Sequence, residues 1–198
     1  MKNYSKEVTE EEKKEIAAVF ANKLFSNPLL SEVWKNAKPG NYKDAFNFAY
    51  KINYKSIKEK HPTRSNYFTP PGGFRLPSFT VQLFADRIIL NLEPVKKTIS
   101  KWEKRTGKKI KYSICPMISL YQRTRKNAAP YVIIPITHKA SLFDSKKSID
   151  TFITLNKKAE SIALQYCRMI LYTSIILLDE KDKIIAYSGA SSVSIRYR

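Results

Sequence analysis

Four prolines and two glycines (Pro62, Pro70, Pro71, Pro77, Gly72, Gly73) fall between residues 61 and 78, and no regular element can run through them. They divide a chain whose apolar residues change period. Before the break the spacing is helical. Thr9 and Glu12 have the spacing of a capping box, and Ile16, Phe20 and Leu24 recur every fourth residue behind it. Asn27-Pro28 opens a short second helix that Lys38-Pro39-Gly40 closes. A third is predicted from Tyr42 to Glu59. Tyr42, Phe46, Ala49, Tyr50 and Ile57 lie on one side of it, Lys51, Lys55 and Lys58 on the other, and His61-Pro62 stops it. Residues 1–60 therefore read as a helical module. Residues 61–78 read as a connector that packs through its aromatic side chains, with Tyr67, Phe68, Phe74 and Arg75 as candidate protein-interface residues.

After the break the period is mostly two. Phe79–Phe84 and Arg87–Leu92 form a predicted hairpin around Ala85-Asp86. Glu93-Pro94 opens a helix that ends at Gly107. From Lys109 to Tyr121 the residues Ile110, Tyr112, Ile114, Ile118 and Leu120 face one way, and Pro116 argues for an edge strand or a bulge. Tyr131–Ile136 is another short strand. Ala159, Ile162, Ala163, Tyr166, Met169 and Ile170 suggest a buried central helix over 156–172. Ile175–Leu178 and Lys183–Tyr187 make a hairpin with a polar turn, and Ser192–Arg198 alternates. The fold class is α+β: the helical module, then over residues 79–198 a mixed or antiparallel sheet packed with two helices.

Charge narrows the function. Lys and Arg number 36 against 17 acids, a formal charge of +19. A coding bias explains the choice of Lys over Arg, but less well the shortage of Asp and Glu, so a nucleic acid or other polyanion is the expected partner. The excess lies in the middle of the chain: residues 94–111 carry eight cations against Glu103, while residues 2–15 are close to neutral. The longest apolar run, Met169–Leu178, is short of the ~18 residues that suggest a membrane span. The N-terminus leads into a charged helix rather than an apolar signal region, so a cytoplasmic protein, or one in a nucleoprotein particle or virion, is expected. Two Cys and two His build neither a disulfide framework nor the usual zinc site, so no metal or cofactor is expected.

Within the basic stretch, Lys97, Lys101 and Lys104 line the helix face opposite Val95, Ile99 and Trp102, with Lys108 and Lys111 continuing the line. Such a stripe suits a row of phosphates. Arg123, Arg125 and Lys126 form a second cluster before Pro130. Tyrosines interleave the cations and could stack on unpaired bases, but no RNA-recognition, KH or helix-turn-helix signature accompanies them. Catalytic chemistry has little support. Asp86 and Glu93 flank a strand, Asp179, Glu180 and Asp182 share a turn, and His61 and His138 have no nucleophile placed beside them. The expectation is a non-enzymatic protein contacting the nucleic-acid backbone without sequence specificity. The alternative is a structural subunit of a larger assembly, such as a virion ring or connector, and a metal-dependent nuclease is third.

Overall fold

The computed structural model describes residues 7–84, 87–94, 96–107, 109–136, 141–142 and 149–196. Three helices lead: α1 (Glu10–Phe25), α2 (Pro28–Ala37) and α3 (Ala45–Ser56). Local chemistry sets their starts. Thr9 and Glu12 close a reciprocal capping box at α1, Asn27 caps α2 ahead of Pro28, and Asp44 caps α3. Because the Asp44 carboxylate accepts from Asn47 N, α3 begins after Tyr42, and it ends at Ser56.

Two antiparallel sheets follow, which makes the fold α+β. The smaller holds β1 (Phe79–Leu83), β2 (Arg87–Leu92) and β6 (Ile149–Thr154), with β2 in the middle. The larger is built on β3 (Lys111–Arg123) and β7 (Tyr166–Leu178), paired antiparallel from Lys111↔Leu178 to Arg123↔Tyr166. On the outer side of β3 lie β4 (Tyr131–Pro135) and β5 (Ser141–Leu142). On the outer side of β7 lie β8 (Ile184–Tyr187) and β9 (Ser191–Arg196). Helices α4 (Lys96–Thr106) and α5 (Lys157–Ala163) complete the chain.

The long strands are buried on both faces. On one side Ile110, Tyr112, Ile114, Ile118 and Leu120 meet Ile88, Leu90 and Leu92 of β2, Ile99 of α4 and Ala159 of α5. On the other, Cys115, Met117, Ile170, Tyr172 and Ile176 share a core with Phe20, Leu24, Trp34 and Phe48 of the N-terminal helices. The order of layers is helices, large sheet, small sheet with α4 and α5. Among the described residues no helix is long and apolar enough to cross a membrane.

Three expectations are corrected. The helix predicted over 156–172 stops at Ala163, and Tyr166 onward is β7. A strand buried on both faces shows a continuous apolar run, which a period cannot separate from a buried helix. Pro116 sits on an interior strand. Its carbonyl accepts from Ile136 N at 3.2 Å, so its nitrogen faces that same side and the β3–β7 ladder loses no donor. Phe68, offered as an interface residue, is fully buried against Tyr172, their ring centroids 6.0 Å apart.

The rest of the connector closes the kink between β8 and β9. Phe74 N donates to Tyr187 O at 3.0 Å and Gly189 N to Phe74 O at 2.7 Å. Ser188 Oγ takes a ladder position, accepting from Ile175 N at 2.9 Å, and Thr69 Oγ1 donates to Ser188 O. The backbones meet so closely that a Cβ on Gly73 would lie 2.5 Å from Gly189 N. Gly73→Ala is therefore expected to lower stability by about 2–3 kcal/mol, read from urea denaturation. Gly40→Ala, which meets open space, should stay within about 0.5 kcal/mol of wild type.

Burial holds the Tyr172 phenol far above its ordinary value, and burial with Glu15 nearby pushes Tyr131 up to about 12. Unfolded, both ionise near pH ~10. Their contribution to stability is thus complete below pH ~10 and declines as pH rises from there toward 12. Urea midpoints measured from pH 8 to 11 should fall, and the fall should be shallower in Tyr172→Phe.

Candidate nucleic-acid interface

The cations singled out in the sequence divide between the two ends of β3. At its start, α4 buries Ile99 and half-buries Trp102, leaving Lys101 and Lys104 exposed. Lys97 also lies on α4, and Lys108 and Val95 fall outside the described residues. Arg105 lies over the Trp102 ring, 5.0 Å from its centroid. Gly107 ends the helix at φ +66°, its N–H donating to Glu103 O at 2.8 Å. Lys111 does not continue the stripe: its Nζ donates to Asp182 Oδ1 and to Glu180 O, both at 3.0 Å, and holds the β7–β8 turn. The twelve steps of strand from Lys111 to Arg123 span about 40 Å at ~3.3 Å per residue. One surface therefore does not carry both clusters.

The far end of the large sheet gathers other cations. The register sets Tyr131, Tyr121, Arg168 and Arg196 side by side on four neighbouring strands, and sets Arg123 against Tyr166. Arg123 Nη1 donates to Ala128 O at 2.7 Å and closes the β3–β4 loop, whose exposed tip carries Arg125 and Lys126. Arg168 Nε donates to Gln122 Oε1 at 3.3 Å. Gln122 is a non-glycine residue at φ +55°, a left-handed conformation that interrupts the strand's alternation. Sequence reasoning missed the joining of Arg168 and Arg196. The two are 28 residues apart, and only strand register makes them neighbours.

The loop after α3 folds over this face. His61 stacks on Tyr121 with ring centroids 4.0 Å apart, its Nδ1 contacting Pro62 O at 2.7 Å and its Nε2 the Glu59 carboxylate at 2.9 Å. Arg64 is tied to β9: its Nε donates to Ser192 O at 3.1 Å, while Ser192 Oγ donates back to Arg64 O at 3.2 Å. Tyr121 OH and Ser194 Oγ lie 3.1 Å apart beneath. Between loop and sheet is a cavity of about 280 Å³ lined by Lys58, His61, Arg64, Tyr121, Ile170 and Ser194, among others.

Buried amides hold the loop in place. Asn53 Nδ2 donates to Ala49 O and Tyr67 O, and Asn53 Oδ1 accepts from Tyr67 N and Asn66 Nδ2. Tyr172 OH donates to Thr63 O at 2.7 Å.

Many of the acids are engaged elsewhere. Glu10 bonds Lys13 and Tyr54, and Glu12 bonds Lys60, which together hold both carboxyls below their usual range. Glu32 pairs with Lys35. Asp179 Oδ1 accepts from Lys181 N and Lys183 N, a turn-forming role. Among the described residues no ion pair involves Arg123, Arg125, Lys126 or Arg168. Nor does any group of three or more His, Cys, Asp or Glu there have the arrangement to hold a metal ion. Asp86 and His138 fall outside the described residues. Cys115 is a buried thiol that desolvation pushes up to about 12, unsuited to nucleophilic chemistry. Of the connector residues, Tyr67 and Arg75 are exposed and Phe74 is half-buried at the β8 bridge.

No protein-family model matches the chain, and no curated protein matches it. A solved structure of the chicken interferon gamma receptor alpha chain is similar over 63% of this chain and 52% of that one, at 11% identity and a TM-score of 0.33. A likeness of that size carries no argument about this chain.

Asn53→Ala would remove the acceptor of the Tyr67 N–H and one of the two acceptors of the buried Asn66 Nδ2, and is expected to destabilise by about 2–3 kcal/mol. Exposed Lys55→Ala should change urea stability by less than about 0.5 kcal/mol.

Proposed function

We propose that the protein contacts the backbone of nucleic acid, without reading its sequence, through the arginine-rich end of its central sheet. The observation that carries this reading is the convergence of Arg123, Arg125, Lys126, Arg168 and Arg196 on adjoining strand ends. The first four have no ion pair among the described residues. Each guanidinium or ammonium that replaces condensed counterions on a phosphate adds affinity through their release, and that affinity falls with salt. Arginine also offers two parallel donors to a phosphate. Tyr121 and Tyr131 share the row with Arg168 and give it an aromatic flank. The exposed lysines of α4 lie at the opposite end and form a secondary contact.

A second reading, as a subunit of a larger assembly, is favoured by β9. That strand pairs only with β7 among the described strands, so its outer edge, apart from the Ser192 carbonyl that Arg64 engages, has backbone groups to offer a neighbour.

Fluorescence anisotropy with a labelled 12-nucleotide strand tests the first reading. Binding should weaken steeply from 50 to 200 mM salt, with a log–log slope of about −3 for four phosphates on a single strand. Arg125→Glu, Lys126→Glu and Arg168→Glu combined should cost at least about tenfold in affinity, and Lys101→Glu with Lys104→Glu less than about threefold. Equal losses in the two variants, or salt-insensitive binding, would count against it.

A further inference from the structure

We infer that the cavity beneath the His61 loop is a subsite for a terminal phosphate of a nucleic-acid strand, an assignment that rests on the backbone-contact reading above. The cavity is small, about 280 Å³, and its lining sets cationic and hydroxyl side chains beside Ile170. Lys58 and Arg64 contribute two positive charges. Against them stands one lining carboxylate, Glu59, which His61 Nε2 meets at 2.9 Å on the loop side. Two cationic side chains attract a phosphate monoester, which carries about −1.5 to −2 at neutral pH and presents three terminal oxygens, more strongly than a diester. A phosphodiester within a strand carries one. Tyr121, Ser194 and Ser65 line the same space. Tyr121 OH and Ser194 Oγ bond each other, which leaves one hydroxyl of that pair, with Ser65, as neutral donors.

The site is preorganised. Arg64 is fixed to β9 through its Nε and through its own carbonyl, which leaves its terminal nitrogens to meet an oxyanion. The loop that carries Arg64 and His61 is pinned by Asn53, Asn66 and Tyr172, so little ordering accompanies binding. Its position also fits. Tyr121 of the floor is the cross-strand neighbour of Arg168, and Ser194 lies two residues from Arg196 on β9. A strand whose end sits in the cavity leads its next phosphates over those arginines.

The test uses the full chain and one 12-nucleotide sequence made in three forms, with a 5′-phosphate, a 3′-phosphate or hydroxyls at both ends. At least one phosphorylated form should bind about tenfold tighter than the hydroxyl form, as expected for one charge-assisted contact set. Arg64→Gln should abolish the advantage. Because that change also removes the tie to Ser192, Lys58→Gln, an exposed position, is the second variant and should reduce the advantage at least threefold. Equal binding of all three forms would overturn the subsite and leave the backbone reading standing. An advantage that survives both substitutions would place the terminal phosphate elsewhere and also overturn it. Failure of every form to bind at low salt would overturn the backbone reading and the subsite with it.

Discussion

The β3–β7 ladder is the constraint on which the rest of the molecule depends. Two thirteen-residue strands pair along almost their whole length, and both faces of the pair are removed from water. Neither face is complete alone. One requires the three N-terminal helices, the other the small sheet with α4 and α5. The same ladder separates the two cation clusters, since its ends are about 40 Å apart at ~3.3 Å per residue.

Electrostatics then distinguishes those ends. At the Lys111 end, Asp179, Glu180 and Asp182 occupy a tight turn, and Lys111 is committed to it. At the Arg123 end, the β3–β4 loop, the start of β7 and the end of β9 contribute cations, while Glu10, Glu12 and Glu32 of the helical layer are paired and Glu15 lies near Tyr131. The net charge is thus high overall, but its field is strongest where cations gather and acids are few.

Local features were legible in the sequence because local chemistry causes them. The Thr9–Glu12 box, Asn27-Pro28, Gly107 and the Asp179–Lys183 turn each act within a few residues, and the structure has them in those roles. The alternation of Ile110 to Leu120 likewise marks one real face of β3. What was not legible depends on distant partners. Ser113 and Ser119 look like a solvent face until the helices cover them. The apolar run after Tyr166 looks helical until β3 lies beside it. No element was expected at Ile149–Thr154, which is a strand because β2 offers an edge. The candidate site is the extreme case. Arg64, Tyr121, Arg168 and Arg196 come from four separate segments, and only the register and the buried Asn53–Asn66 contact bring them together.

The most direct measurement is a titration of isotopically labelled protein with a short oligonucleotide, followed by backbone amide NMR shifts. The account predicts that the largest changes fall on residues 121–128, 166–168, 192–196 and the 58–65 loop, with smaller ones on α4. Changes centred on Lys101 and Lys104 of α4, or spread evenly over the surface lysines, would contradict it.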